Sequence, residues 1–410
     1  MNTKLTKLFS ASKIIMLLGI IMPGISKLCF ALIIQNYGGI ERLGTYASDF
    51  NISLIISALT GVGFSVVISN RIPRIRSLLS QKVLLGRVLF YSNSASLLSG
   101  VVIWVLWFFG IVNSFWAVLI MVFGYTNYLV ARHFYVAKRN YKIVLYIEIC
   151  VLLMICLGLF LFTKFLEPLL AHSIILLILC LALNLYNSRF FGKRLAITKE
   201  VASGLGFGFS NLASTFLNLV SIPLAKQLLG ASYAGFLGIV NPIIQVCVIV
   251  PRSLSRHYLP LLAKQKWYSK LQHDLYRKFA YYNLSFLIFV VVSLLLGWWL
   301  FKAAFPSSEL ILEYSSLVVF LLFANLLVTQ ISLPDFNMLA AWDKYNISFY
   351  VNFFNLASFV FVLLLVSVFY QQIMSFFFIY TVLIIINLAR WIFLKSRVKL
   401  LFAANKVIDI

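Results

Sequence analysis

No stretch of this chain outside its apolar runs is long enough to fold as a soluble domain. The longest, residues 251–278, falls well short of the ~50 residues at the lower end of domain size. No G-x-x-x-x-G-K-[ST] sequence occurs, which excludes nucleotide hydrolysis through a phosphate-binding loop. No H-E-x-x-H occurs, and the four histidines (His133, His172, His257, His273) fall in loops or at helix ends without a Ser or Cys at a suggestive spacing. The five cysteines (Cys29, Cys150, Cys156, Cys180, Cys247) all lie in apolar runs, and no pair has zinc-ligand spacing. They are packing residues, not a disulfide frame or a metal site. No cofactor is expected, and nothing points to an enzyme. Acidic side chains are scarce too: 11 Asp and Glu stand against 34 Lys and Arg.

What the chain has is apolar runs of about 20 residues, each able to cross ~30 Å of hydrocarbon as a helix. Twelve are expected, at 14–35, 48–69, 83–108, 115–131, 143–163, 169–187, 201–223, 233–250, 279–301, 315–338, 347–369 and 373–394. The fold class is therefore an all-α polytopic membrane protein. The basic residues alternate between a rich and a poor side: 27 of the 34 fall on one side, four on the other (Arg42, Lys164, Lys226, Lys302) and three inside spans (Lys27, Arg87, Arg390). Positive loops stay cytoplasmic, so both termini are expected there. The net charge of +23 is accounted for by this topology and by anionic lipid headgroups. It forms no basic stripe with interleaved aromatics, so no nucleic acid partner is expected. The N-terminus has the lysines and apolar run of a signal peptide, but Lys27 follows closely and no A-x-A site appears. It is read as the first span.

The basic loop 188–199 divides the chain into six spans and six spans, giving lobes 1–192 and 193–410. A shift of 191 residues places Gly39 on Gly230, Gly44 on Gly235, Lys27 on Asn218 and Gln35 on Lys226. Six helices per half means that both repeats enter from the same side, related by an axis along the membrane normal.

Ionisable and amide groups inside spans are costly and tend to face water or a partner. Lys27 lies past the middle of the first span, one turn after Pro23-Gly24. It either lines a wet cavity or snorkels to the outer headgroups. Arg87 either snorkels to the inner face or pairs with Glu148, which lies at similar depth; Arg390 is read as a topology residue. Asn211, Ser214, Thr215, Asn218 and Ser221 form one polar stripe on the seventh span, which Lys226 continues. Gly238, Asn241 and Gln245 follow on the eighth, with Pro242 as a bend, and Ser53, Ser57 and Thr60 on the second. Such groups either line a cavity or bond helix to helix. Gly204, Gly206 and Gly208 form G-x-G-x-G with no strand before it, so they serve close packing or a flexible helix start. Asp335 either carries a coupling proton or pairs with Lys344.

Twelve spans in two halves, the Gly39/Gly44 and Gly230/Gly235 loops, and the short basic loops after the second, fourth and eighth spans resemble Wzx-type O-antigen/polysaccharide flippases. These belong to the multidrug/oligosaccharidyl-lipid/polysaccharide superfamily, whose exporters carry the MATE fold. The resemblance covers nearly the whole length and implies a V-shaped pair of six-helix lobes around a central cavity. It also implies a substrate, a polyprenyl-diphosphate-linked oligosaccharide moved across the bacterial inner (cytoplasmic) membrane by alternating access. Its implied partners are membrane lipids, a coupling H+ or Na+, and a polysaccharide polymerase with its chain-length regulator. A diphosphate leaving water needs cations and hydrogen-bond donors. The residues that would hold the substrate are Lys27, Gln35, Arg87, Asn211, Thr215, Asn218, Lys226, Asn241 and Gln245. The spans carry few carboxylates (Asp49, Glu148, Asp335), each toward a helix end, whereas the superfamily's multidrug exporters bury carboxylates mid-membrane. A cation-coupled multidrug-type exporter and a membrane polysaccharide polymerase are the alternatives. The polymerases carry a long outer loop that this chain lacks.

Overall fold

A computed structural model describes residues 11–138, 140–162, 165–188, 219–248, 269–304, 313–342, 344–369 and 373–406, with isolated positions between 208 and 262. Its chain forms two compact units, Met1–Pro242 and Ile243–Ile410.

The first unit opens with α1 (Ala11–Ser57), which is two of the expected spans joined end to end across a kink at Gly39. A π-helical turn, Ala58–Val62, leads into α2 (Gly63–Arg71). Then come α3 (Leu78–Phe108), α4 (Phe115–Ala137), α5 (Tyr141–Phe162) and α6 (Pro168–Asn187), followed by α7 (Ser221–Leu229) and α8 (Ala231–Cys247), within which the unit ends at Pro242. The second unit holds α9 (Lys270–Ala304), α10 (Ser315–Ile331), α11 (Leu333–Ala341), α12 (Tyr345–Phe369) and α13 (Ile373–Lys406). Among the described residues eight helices are long and apolar enough to span a membrane, the segment Ile21–Ser69 covering two expected spans. Two shorter apolar helices, Ala231–Ile244 and Tyr350–Val366, match the eighth and eleventh spans. Most of the seventh lies outside the described residues.

Helix ends depart from the apolar runs where basic residues continue the helix beyond the hydrocarbon. α4 runs on to Ala137, α9 begins at Lys270 and α13 continues to Lys406. Arg132, counted by its charge with the loop 132–142, is thus a helical residue. The tenth span is broken at Ser332, with Pro334 opening α11.

Membrane helices gain little from burying apolar surface against lipid-like neighbours, so small residues and interhelical hydrogen bonds hold them together. The first unit follows that rule. Ser92, Ser96 and Ser99 form a buried stripe on α3. Ser96 donates to Thr126 (3.3 Å), which also bonds Thr60 in the π-helical turn (2.8 Å). A Cβ on Gly124 of α4 would lie 3.3 Å from the Ser173 carbonyl of α6, and one on Gly61 would lie 3.1 Å from Thr126 Cα. Outward faces are apolar, as Leu97, Leu98, Val101 and Trp104 of α3 show.

The 191-residue repeat is visible in the backbone. Gly39 (φ 75°, ψ 176°) and Gly230 (φ 94°, ψ 172°) adopt the same positive-φ conformation, which only glycine takes without strain. The segments that follow them touch reciprocally. A Cβ on Gly44 would collide with the carbonyl of Ala231, and a Cβ on Gly235 with the carbonyl of Ile40. Ile40 and Ala231 are themselves 191 residues apart. So are Glu41 and Ser232, whose side chains meet at 3.4 Å, and Ala47 and Gly238, where a Cβ on the glycine would lie 3.0 Å from that of the alanine. Residue i meeting the equivalent of its own partner is the signature of a local two-fold axis. This seam places α7 and α8 on α1, so the border of the first compact unit lies beyond the basic loop 188–199.

In the second unit, Trp342, Leu262, Met338, Leu339, Leu394 and Val398 form a buried core at the basic-rich end. Gln272 ties it together, donating to the Leu262 carbonyl (2.9 Å) and accepting from Trp342 Nε1 (3.0 Å). Part of the long segment 251–278 is thereby packed structure.

Candidate functional site

Lys27 sits on the first arm of α1, one turn beyond Pro23. Its ammonium lies 5.6 Å from the centre of the Phe50 ring. Phe50 stacks on Tyr46 (5.6 Å) and on His172 (5.4 Å), and Phe30 meets the His172 ring edge-on at 4.9 Å. The Tyr46 hydroxyl and His172 Nδ1 are 2.7 Å apart. A half-buried cation thus rests on an aromatic floor built by both arms of α1 and the start of α6. Such a contact stabilises the charged form by about 0.5–2 kcal/mol and helps hold the side chain in place. His172, taken from sequence as a helix-end histidine without a role, is a buried member of that floor.

The other expected site residues fall in different places. Gln35 is half-buried two turns beyond Lys27 on the same face of α1. Arg87 shares the exposed face of α3 with Phe90, Leu98 and Val101, the position of a snorkelling arginine. Lys226 lies on α7 with its ammonium 4.0 Å from Asp49 Oδ1, the two side chains 12% and 1% exposed. Asn241 is half-buried on α8. Gln245 belongs to the same helix, its side chain outside the described residues, and Asn211, Thr215 and Asn218 also lie outside them.

Asp49 is fully buried and accepts three hydrogen bonds from the turn before α4: Asn113 N (3.0 Å), Asn113 Nδ2 (2.9 Å) and Ser114 N (3.3 Å). Glu148 accepts from Arg132 Nε and from the Tyr128 hydroxyl, both at 2.7 Å. The partner of Glu148 is therefore Arg132, not Arg87. Helix α5 returns antiparallel beside α4 and brings Glu148 level with Arg132, a register that spacing along the chain does not reveal. Beside this pair Asn127 donates to Asn93 (2.8 Å), and Asn184 donates to Asn127 (3.2 Å), so α3, α4 and α6 are bonded at one level. The only sequence signal for this cluster was the run Thr126, Asn127, Tyr128, Arg132 on one helix.

In the second unit Asp335 is buried and accepts from the Tyr276 hydroxyl at 2.6 Å, so its hydrogen-bond partner is a tyrosine of α9 and not Lys344. Asn387 donates to Asn325 at 3.0 Å. Arg390, one turn further along α13, has a buried Nε without a hydrogen-bond partner among the described residues.

No family model matches the chain, and no curated protein matches it. Solved structures do. The MATE multidrug transporter DinF-BH, solved as a complex, is 16% identical over 96% of this chain and 95% of its own, with a TM-score of 0.66. The inward-facing conformation of a multidrug resistance MATE family transporter of the MOP superfamily is 13% identical over 94% of each chain, with a TM-score of 0.60. A MOP superfamily transporter from Pyrococcus furiosus, described as having a binding pocket of reverse polarity that suggests a different function, is 14% identical over 96% and 95%, with a TM-score of 0.53. These likenesses establish the fold: an all-helical membrane protein of twelve spans in two lobes.

Proposed function

We propose that this chain is a membrane transporter of the MOP type that moves an anionic, lipid-linked substrate, best matched by a polyprenyl-diphosphate-linked oligosaccharide. Its place would be the bacterial inner membrane, with both termini in the cytoplasm, and transport would proceed by alternating access coupled to H+ or Na+. The observation that carries this reading is how the intramembrane carboxylates are used. Asp49, Glu148 and Asp335 are buried and each is bonded to protein groups. None is left to attract an organic cation. The cation Lys27 sits half-buried over an aromatic ring.

Complementation of a strain lacking the protein tests this. Lys27→Ala is expected to lower surface polysaccharide by roughly tenfold or more, the equivalent of one charge-assisted hydrogen bond, while Lys27→Arg retains most of it. Normal polysaccharide in both variants, with the protein present in the membrane, overturns the role of this charge. The likeness to multidrug transporters favours a second reading, export of a small molecule on the same fold. It predicts that deletion changes sensitivity to lipophilic cations and leaves surface polysaccharide intact.

A further inference from the structure

Pro23 leaves a carbonyl without its helical donor. The N–H of residue 23 would ordinarily bond the carbonyl of residue 19, and proline has no N–H. The gap is closed from another helix. Arg132 Nη2 on α4 donates to the Gly19 carbonyl at 3.1 Å. The same guanidinium donates through Nε to Glu148 Oε1, which the Tyr128 hydroxyl also meets. The arginine side chain is 19% exposed and the glutamate 2%. Gly19 is itself buried, and a Cβ there would lie 3.6 Å from Val144 of α5, so the first arm of α1 packs closely where the bond is made.

We propose that Arg132 is a positioning residue for Lys27. It supplies the N–H that Pro23 withholds and so fixes the first arm of α1 against α4 and α5. Lys27 stands four residues after Pro23, on the same face one turn along, and the angle of that arm decides where its ammonium lies. Two details separate this role from plain neutralisation of Glu148. An arginine that only pairs a carboxylate frequently engages both oxygens side by side. Here it uses Oε1 alone and turns its second N–H to a carbonyl 113 residues away. A lysine ammonium, although it carries three N–H groups, lacks the rigid planar fork that holds two separate acceptors at fixed angles. The proposal rests on the transport reading only in that Lys27 touches substrate; the clamp stands or falls by itself.

The test is a set of full-length variants in a Glu148→Gln background, where no carboxylate needs a counter-charge. Arg132→Met is expected to lower the thermal unfolding midpoint in detergent by roughly 2–6 °C. Adding Pro23→Ala, which restores the helical donor to Gly19, removes more than half of that loss. Arg132→Gln, which keeps a neutral donor on a shorter stem, loses less than Arg132→Met, so a poorly folding methionine variant does not end the test. The labelling rate of Cys29, with Cys150, Cys156, Cys180 and Cys247 replaced by Ala, reads the arm itself. It shifts in Arg132→Met and returns toward the parent with Pro23→Ala. An unchanged midpoint in Arg132→Met, or a loss that Pro23→Ala leaves undiminished, overturns the clamp. If the cycle holds while Lys27→Ala exports polysaccharide normally, the clamp stands and the substrate reading fails.

Discussion

Gly44→Ala is expected to push α1 and α8 apart and, on the proposed function, to reduce transport to background. The added methyl group has no room, because it would overlap the carbonyl of Ala231 and crowd the backbone nitrogen of Gly235. Neither is the free end of a flexible side chain, so one helix must move. Forcing a methyl group into a packed site costs about 1–3 kcal/mol, and against backbone the upper end applies. Gly235→Ala meets the Ile40 carbonyl and is expected to match it. Gly39→Ala acts differently: nothing lies within 4 Å of its Cβ, and what opposes it is the backbone at φ 75°, ψ 176°, an essentially glycine-only region whose strain is about 1–3 kcal/mol. A disulfide reads the seam directly. Ala47→Cys with Gly238→Cys, in a chain without other cysteines, brings together positions whose Cβ atoms would be 3.0 Å apart, closer than the ~3.5–4.5 Å of a disulfide, so the pair closes after a few tenths of an ångström of relaxation and is lost only on a larger parting of the helices. Oxidation should cross-link the parent readily and the Gly44→Ala form at least tenfold more slowly. Equal rates would mean that the helices absorb the methyl group without parting.

The same seam shows what could be read from the chain. Gly39/Gly230 and Gly44/Gly235 stood out because a glycine pair repeated at one offset is a backbone signal, and backbone conformation is local. The Glu41–Ser232 and Ala47–Gly238 pairs share that offset, but residue types that differ between the halves do not announce an equivalence. Span number followed from hydropathy; span ends did not. A basic residue that continues a helix past the membrane has the composition of a loop, so Arg132 was counted with its neighbours in 132–142. Its pairing with Glu148 depends on how α4 and α5 are staggered, which no spacing in one chain encodes. Lys27 was singled out because a proline and a lysine one turn apart are unusual in a span, yet its floor (Phe30, Tyr46, Phe50, His172) needed the fold of α1 back on itself and the approach of α6. Lys226 was grouped with it as a cation continuing the polar stripe of the seventh span, and its proximity to Asp49 separates the two.

That proximity leads to the largest loss expected of a single substitution, Asp49→Ala. The carboxylate meets two backbone N–H groups and an amide of the turn before α4, with an ammonium 4.0 Å away. The carboxylate and most of the ammonium are removed from water, whereas Asn113 is exposed and Ser114 half-buried. Deleting the carboxylate strands the Lys226 charge in a largely buried place, while water can reach the freed donors of the exposed Asn113. Breaking a buried pair from one side costs about 3–5 kcal/mol, more than the pair itself contributes. Lys226→Met acts in the opposite direction. The ammonium is buried and makes no hydrogen bond among the described residues, so replacing it with an apolar chain of similar length removes a desolvation penalty and leaves the three bonds to Asp49 in place. Lys226→Met is expected to be as stable as the parent or slightly more so. Asp49→Ala should be the least stable, and the double variant should recover the part of the loss that belonged to the stranded charge. Thermal unfolding of the four proteins in one detergent checks the order. Were Asp49→Ala no worse than Lys226→Met, the turn at Asn113–Ser114 would not depend on the carboxylate. Polysaccharide export by Lys226→Met then separates structure from transport: wild-type levels make Lys226 a buttress of the seam and leave Lys27 as the first unit's substrate cation, whereas loss of export in a fully stable protein returns Lys226 to the substrate path.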